Sequence, residues 1–171
     1  MTSSKPLIVA LTCGLLAVGS SALVAQGSPP CADEKSRQFD FWIGEWEVFA
    51  GEDLAGHNSI QPILDGCVLQ ESWRGSRGSA GSSFNFYNPR SGRWQQFWVW
   101  RNGTTLELEG QLEDGNMILS GTTVGEDGKT VHHRVAWYDN PEGTVRQWWE
   151  TSNDGGATWE TAFDGLYRKK K

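Results

Sequence analysis

The sequence predicts an all-β protein: a single antiparallel up-and-down β-barrel of about ten strands, with a short helical turn at its N-terminal end. Three observations support this fold. Clusters of Gly, Asn, Asp and Pro recur between short apolar and aromatic runs, a pattern typical of strands joined by tight turns. The 171 residues include 21 Gly and 10 Trp, which suits short strands and frequent turns. No stretch of about a dozen residues has the apolar periodicity of a helix.

The first 25 residues are typical of a secretory signal peptide, which is removed from the mature protein. Lys5 supplies a positive start, residues 6–24 are apolar or small, and Ala22 and Ala25 are candidate cleavage positions. A retained membrane anchor is the alternative interpretation. We therefore expect a periplasmic or extracellular protein with no membrane association after cleavage. Loss of Lys5 would change the net charge of −6 by one, to −7.

The acidic balance argues against nucleic acid as a partner, because phosphate binding requires clustered Lys and Arg. The only basic run is Arg168–Lys171, at the C-terminal end of the sequence. We interpret it as a solvated tail. The sequence offers no cofactor motif, and we expect no cofactor.

The mature chain is predicted to begin with an extended lead-in at residues 26–36, followed by the barrel domain at 37–169. Aromatic residues are too dense between Arg37 and Trp46 for one helix face, which favours a helical turn around Phe39–Ile43 that plugs one barrel end. Gly44 then turns the chain into the first strand. The predicted strands are Glu45–Ala50, Asn58–Leu64, Val68–Arg74, Ser82–Tyr87, Arg93–Trp100, Thr105–Leu112, Met117–Val124, His132–Tyr138, Thr144–Ser152 and Thr161–Arg168.

Every connection between these strands is short, so neighbouring strands must be antiparallel. A sheet of this size must close or split into two layers, because long open edges invite aggregation. Both faces of Arg93–Trp100 mix aromatic residues with polar ones, Gln95 on one face and Gln96 on the other. A barrel with a mixed interior fits this pattern better than a dry sandwich core.

Such an interior is expected to hold a small apolar or aromatic ligand without catalysis, since Trp offers large rigid faces and one N–H donor. The alternative is a structural or protein-interaction barrel whose interior the same side chains fill. In each strand we take as inward the face on which polar groups accompany aromatic ones. The predicted ligand-binding residues on these faces are Glu71, Trp73, Asn85, Tyr87, Gln96, Trp98, Arg134, Gln147 and Trp149.

Two carboxylates, Glu71 and Glu150, are predicted to lie in the middle of strands beside tryptophans. A carboxylate facing an aromatic interior would have a raised pKa and could act as an acid or base, which leaves a hydrolase as a further alternative. We favour a structural interpretation for both, an ion pair with Arg134 or Arg146. No catalytic residue is therefore assigned.

Two cysteines remain after signal removal, Cys31 and Cys67, and in an exported protein two cysteines most simply pair. Free buried thiols are the alternative. No metal site is expected, because neither cysteine has a second Cys or His at ligand spacing. Neighbouring strand residues point to opposite faces, so His132 and His133 cannot easily share a metal.

The segment Ser152–Trp159, SNDGGATW, matches the Asp-box pattern S-x-D-x-G-x-T-W. In sialidase-like propellers this pattern recurs once per blade, whereas here it occurs once in a chain too short for a propeller. We interpret it as a hairpin turn with no bearing on glycosidase activity.

The segments FDFWIGEWEV, DGCVLQESWRG, SFNFYNPRSGRWQQFWV and VRQWWETSNDGGATW resemble a family of exported bacterial proteins of uncharacterised function, the DUF1579 type. The resemblance covers about residues 39–167 and implies a lipocalin-like (calycin-like) barrel with no established activity. The family's recurring cysteines match Cys31 and Cys67. A looser similarity links the chain to nitrobindin-like haem barrels, in which a late histidine ligates iron; this would implicate His132 or His133.

Overall fold

The computed structural model describes residue 1 and residues 29–170. The predicted signal peptide and the start of the lead-in therefore lie outside the described residues, apart from residue 1. Short 3-10 helices span Lys35–Arg37, Asp40–Trp42 and Leu64–Gly66. The strands are β1 Gly44–Ala50, β2 Asp53–Ile63, β3 Val68–Gly75, β4 Ala80–Asn88, β5 Arg93–Trp100, β6 Thr105–Glu113, β7 Asn116–Val124, β8 Thr130–Asp139, β9 Val145–Ser152 and β10 Glu160–Lys169.

These ten strands form one closed antiparallel barrel, which confirms the predicted fold class. Each strand pairs with its neighbours in sequence, and the barrel closes where β1 pairs with β10. At the closing seam Trp46 lies opposite Lys169, and Val48 lies opposite Tyr167. Closure leaves no long unpaired edge, which is the physical reason that a meander of this length becomes a barrel.

The second strand begins earlier than predicted. The strand was expected to begin at Asn58, but a turn of residues 51 and 52, with Gly51 at a φ of 62°, already joins it to β1. The strand then starts at Asp53, and a register shift between Val48 and Phe49 realigns it with β1. Tight turns of this kind require positive φ, which glycine adopts readily.

The described part of the lead-in is not extended, contrary to the prediction for residues 26–36. Asp33 accepts hydrogen bonds from the amide and the hydroxyl of Ser36, at 3.1 and 2.7 Å, and the 3-10 helix Lys35–Arg37 follows. A short acidic side chain that binds the backbone three residues later favours a helical turn over an extended segment.

The second short helix plugs one end of the barrel, as predicted for the turn around Phe39–Ile43. Phe39 and Trp42 are fully buried and stack with their ring centroids 5.0 Å apart. Phe39 also meets Trp94 and Trp137 edge-on, at 5.6 and 5.2 Å. The core of the protein therefore lies in this half of the barrel.

A disulfide joins Cys31 to Cys67 and ties the plug segment to the barrel wall, which confirms the predicted pair. Arg37 Nη1 adds a second tie, a hydrogen bond of 3.1 Å to the carbonyl of Gly66. Cys67 lies between β2 and β3, at the plugged end. In the described part of the chain, no helix combines the length and apolar character needed to cross a membrane.

Candidate functional site: a cavity in the open half of the barrel

The half of the barrel opposite the plug contains a half-open cavity of about 240 Å³. The plug packs against Trp94 near the start of β5, whereas the cavity is lined by Gln96, Trp98 and Trp100 further along the same strand. The lining residues are Glu71, Trp73, Ser79, Gln96, Trp98, Trp100, Leu106, Val135, Gln147, Trp149, Ala162, Phe163 and Tyr167. One end of the interior is therefore packed solid and the other is hollow.

Aromatic rings form the walls of this cavity. Trp98 meets Trp100 edge-on at 5.6 Å, and Trp100 lies 6.2 Å from Trp149. On the facing wall, Trp73 meets Phe163 at 6.3 Å. All five residues are partly buried and pack against the hydrophobic core while they line the cavity.

Two glycines, one on the strand next to Trp98 and one on the same strand as Phe163, give these rings room against the wall. A Cβ at Gly81 would overlap Cζ2 of Trp98, and a Cβ at Gly165 would overlap Phe163. Each ring covers the space that a neighbouring side chain would otherwise occupy. Because the rings lie against the wall, the centre of the barrel stays open.

Glu71 lies at the floor of the cavity, only 4% exposed. Its Oε1 accepts a hydrogen bond of 2.7 Å from Asn58 Nδ2, and its Oε2 accepts one of 2.6 Å from the Ser83 hydroxyl. Behind Ser83 the network continues, because Asn85 Nδ2 donates to Ser83 Oγ at 2.8 Å and Gln96 Nε2 donates to Asn85 Oδ1 at 2.7 Å. The floor is thus a connected layer of polar side chains from β2, β3, β4 and β5.

The same layer extends to the other side of the barrel through Tyr167. Asn58 Nδ2 donates to the Tyr167 hydroxyl at 3.3 Å, and this hydroxyl donates to Gln147 Oε1 at 2.6 Å. Burial, and then the charge of Glu71, raise the pKa of Tyr167 well above its ordinary value. Tyr167 therefore remains a neutral hydrogen-bonding group.

Burial raises the pKa of Glu71 from its ordinary 4.5 to about 7, although the hydrogen bonds from Ser83 and Asn58 act in the opposite direction. The structural ion pair predicted for Glu71 is wrong, since its partners are an amide and a hydroxyl. The physical reason is that Arg134 and Arg146 lie on the outer surface, where they can remain hydrated. The carboxyl can be neutral or charged near neutral pH.

The ion pair predicted for Glu150 is confirmed. Its Oε2 accepts hydrogen bonds from Nε and Nη2 of Arg134, at 3.0 and 2.6 Å, and the guanidinium lies 4.5 Å from the centre of the Trp159 ring. The prediction that Arg134 points inward therefore does not hold. Alternation along β8 puts its neighbour Val135 against the cavity instead.

The structure brings together six of the nine residues predicted to face a ligand: Glu71, Trp73, Gln96, Trp98, Gln147 and Trp149 all line the cavity. Asn85 is fully buried beneath it, within the polar layer. Tyr87 packs against Trp94, 6.3 Å away, toward the plugged end, because it lies four residues beyond Ser83 on the same face of β4. Arg134 lies outside.

Several lining residues were missed by the sequence reasoning. Trp100 lies two residues beyond Trp98, on the same face of β5 as the predicted Gln96 and Trp98. Continuing the alternation of the strand to its last residue would therefore have identified Trp100. Phe163 and Ala162 both reach the cavity because the pairing of β10 with β9 shifts between Thr161 and Phe163. Simple alternation cannot anticipate such a bulge.

His133 orients Trp149 from behind. Trp149 Nε1 donates to His133 Nδ1 at 3.2 Å, and His133 Nε2 lies 2.7 Å from the Thr123 hydroxyl. Burial, and then the neighbouring His132, lower the pKa of His133. Because Nδ1 accepts the indole hydrogen bond, the neutral ring must donate from Nε2 to Thr123.

The Asp-box segment forms the β9–β10 turn, as predicted. Asp154 Oδ1 accepts hydrogen bonds from the Ser152 hydroxyl and the Thr158 amide, at 2.7 and 2.9 Å. Trp159 Nε1 donates to the carbonyl of Gly156 at 3.0 Å. Hydrogen bonds, first that from the Thr158 hydroxyl, hold the pKa of Asp154 well below its usual range. The carboxylate thus stabilises a turn.

In the described ranges, no group of three or more His, Cys, Asp or Glu side chains has the geometry to hold a metal ion. Comparison of the chain with protein-family models finds no match, and comparison with curated proteins also finds none. The resemblance to the exported bacterial family stays a prediction.

Proposed function

We propose that this protein is an exported barrel that binds a small apolar or aromatic ligand without catalysing a reaction on it. The cavity above Glu71 is the observation that carries the proposal. Small-molecule sites are typically concave and mostly apolar, with a few polar groups that fix orientation. Here four tryptophans and Phe163 supply the walls, while Glu71 and two glutamines supply the polar floor.

An open cavity also favours ligand binding over a barrel that serves only as a scaffold. A protein interior is normally packed as densely as an organic crystal, with few voids larger than a water molecule. The plugged half follows that rule, with Phe39 and Trp42 fully buried. The other half instead holds a half-open cavity of about 240 Å³, so its aromatic side chains do not fill the interior.

Two further observations support export. The N-terminal sequence is typical of a signal peptide. The disulfide between Cys31 and Cys67 is of the kind that persists in oxidising compartments and is rare in the cytosol.

The haem alternative has little support from the histidines. Both ring nitrogens of His133 are hydrogen-bonded, one to Trp149 and one to Thr123. His132 lies on the opposite face of β8. We therefore propose no haem ligand.

A hydrolase is the second candidate, favoured by the pKa of about 7 at Glu71. Glycoside hydrolysis usually requires a second carboxylate that faces the same substrate. Glu150 is bound to Arg134, and Glu71 is the only carboxylate among the described residues that line the cavity. We rank catalysis below binding for this reason.

The test is native mass spectrometry of protein purified from its own host, combined with a variant that fills the cavity. Ala162 lines the cavity and is itself exposed, so Ala162→Trp should block the space without disturbing the packed core. Val124→Trp is the matched control, because Val124 is 75% exposed and does not line the cavity. We expect a co-purified small molecule on the wild type and the control only.

The proposal fails if all three proteins are free of ligand and none of them binds either 2-phenylethanol or 2-phenylethylamine in a tryptophan-fluorescence titration. It also fails if Ala162→Trp folds normally and binds as well as the control.

A further inference from the structure

We propose that the ligand of this cavity is a small organic monocation, an apolar or aromatic amine whose ammonium group contacts Glu71 while its body lies among the indole rings. This inference rests on the proposed function and names the chemical class of the ligand. It follows from three features of the cavity: its charge, its aromatic walls and its size.

The charge of the cavity is unbalanced. Glu71 is the one acidic residue among the described lining residues, and none of the lining residues is Arg or Lys. Glu150 shows the contrast, because on the outer face the fold supplies Arg134 at 2.6 Å. A buried carboxylate is costly unless a positive group accompanies it. A cationic ligand would supply the group that the protein does not.

The walls suit the same kind of ligand. The faces of aromatic rings carry partial negative charge and attract cations, and Trp is the strongest of the three aromatic residues in this respect. Trp73, Trp98, Trp100 and Trp149 surround the space above Glu71, and Phe163 completes the wall. Aromatic rings beside one carboxylate form the arrangement by which proteins bind ammonium groups.

The volume limits the size of the ligand. A cavity of about 150 Å³ is sufficient to hold benzene, and this one measures about 240 Å³. A single ring with a short aminoalkyl chain is therefore of suitable size. A ligand that bridges floor and walls would place its ammonium group beside Glu71 and its ring between the tryptophans.

The protonation state of Glu71 should control this binding. The groups that face it are neutral, namely Asn58 on β2, Ser83 on β4 and Tyr167 on β10. Among the described residues, His133 on β8, behind Trp149, is a further titratable group near the cavity. Because the pKa of Glu71 is about 7, its carboxylate is available on the alkaline side of neutrality and mostly absent near pH 5.

The experiment is calorimetric titration of the mature, disulfide-bonded protein with three probes of similar shape: 2-phenylethylamine, 2-phenylethanol and 3-phenylpropanoate. Alkylammonium groups titrate at about pH 10, so the amine stays charged at both about pH 8 and about pH 5.5. At about pH 8 we expect the amine to bind about tenfold or more tightly than the alcohol, as a charge-assisted contact requires. The carboxylate probe should bind most weakly.

Two variants assign the preference to one side chain. Glu71→Gln keeps the shape of the residue and can still accept a hydrogen bond from Asn58 and donate one to Ser83, so we expect it to fold and to lose the preference for the amine. Glu150→Gln, the matched control on the outer face, should retain the preference. Because both variants are compared at the same pH, the protonation of His133 does not contribute to the difference between them. In the wild type, the preference for the amine over the alcohol should shrink at about pH 5.5, because Glu71 is then mostly protonated. This pH comparison tests the proposal even if Glu71→Gln is unstable.

The outcomes separate the two proposals. If the alcohol binds as tightly as the amine, or if Glu71→Gln keeps the preference, the monocation inference is overturned while the cavity remains a binding site for neutral aromatic molecules. A preference that does not change between the two pH values also overturns it. If none of the probes binds the wild type, the inference and the proposed function both fail.

Discussion

Glu71 is a buried carboxylate in the polar layer that floors the cavity. It is held by Asn58 and Ser83 in a layer where burial raises its pKa to about 7. The fold therefore carries an acid that is harder to ionise than a solvent-exposed glutamate. Ionising Glu71 should lower the free energy of unfolding of the ligand-free protein. A bound cation should offset this loss.

The pH dependence of stability follows from this residue. In the unfolded chain Glu71 titrates at its ordinary 4.5, and in the folded protein at about 7. Between these values the folded state binds more protons, so the contribution of Glu71 to the free energy of unfolding falls as pH rises from about 4.5 to about 7. The loss is on the order of 3 kcal/mol.

We expect Glu71→Gln to be more stable than the wild type at about pH 8 and to lack most of this decline. Urea denaturation across the pH range measures it, with Glu150→Gln as the control that should keep the wild-type slope. A Glu71→Gln profile parallel to that of the wild type would show that Glu71 is not the titrating group.

At the scale of elements, the plug and its disulfide divide the barrel into a packed half and a hollow half. The helix Asp40–Trp42 fills one end, and the bond from Cys31 to Cys67 holds the preceding segment in place. The other end stays open because Gly81 and Gly165 allow rings to lie against the wall. The packed half and the hollow half are therefore built from different parts of the same strands.

Removing the disulfide should affect stability and leave binding nearly unchanged. The bond joins residues separated by 36 positions, and replacing both Cys31 and Cys67 by Ser should lower the free energy of unfolding by roughly 3–4 kcal/mol on the chain-entropy model. Denaturant unfolding measures the loss, and titration with 2-phenylethylamine measures binding. A weakened affinity in a variant that remains folded would mean that the plug also shapes the cavity.

At the scale of the whole molecule, much of the fold could be predicted from the regular spacing of turn residues along the sequence. Turn residues set the strand positions, and short connections required antiparallel neighbours, so β5 was predicted with its observed bounds at Arg93–Trp100. Choosing the inward face was harder on β8. The rule that favoured polar groups beside aromatic ones selected the face with Arg134 and Tyr138, whereas the opposite face carries the buried Val135 and Trp137. Arg134 was therefore placed inside, although its charge is better accommodated at the surface.

The features that sequence could not provide are those set by three-dimensional packing. The bulge between Thr161 and Phe163 turns Phe163 and Ala162 toward the cavity. The lack of a cationic side chain beside Glu71 among the cavity-lining residues depends on which side chains meet across four strands. The hollow itself is the small difference between two large volumes, that of the barrel and that of its side chains, and no local pattern encodes it.

The proposed binding depends on an apolar hollow that this barrel keeps open above Glu71. Xenon enters apolar cavities in proteins without requiring polar partners, so a crystal structure under xenon pressure would reveal the hollow. We predict a xenon site between Trp73, Trp98 and Trp149 that is lost in Ala162→Trp. A structure in which these rings meet across the centre, with no xenon between them, would contradict it.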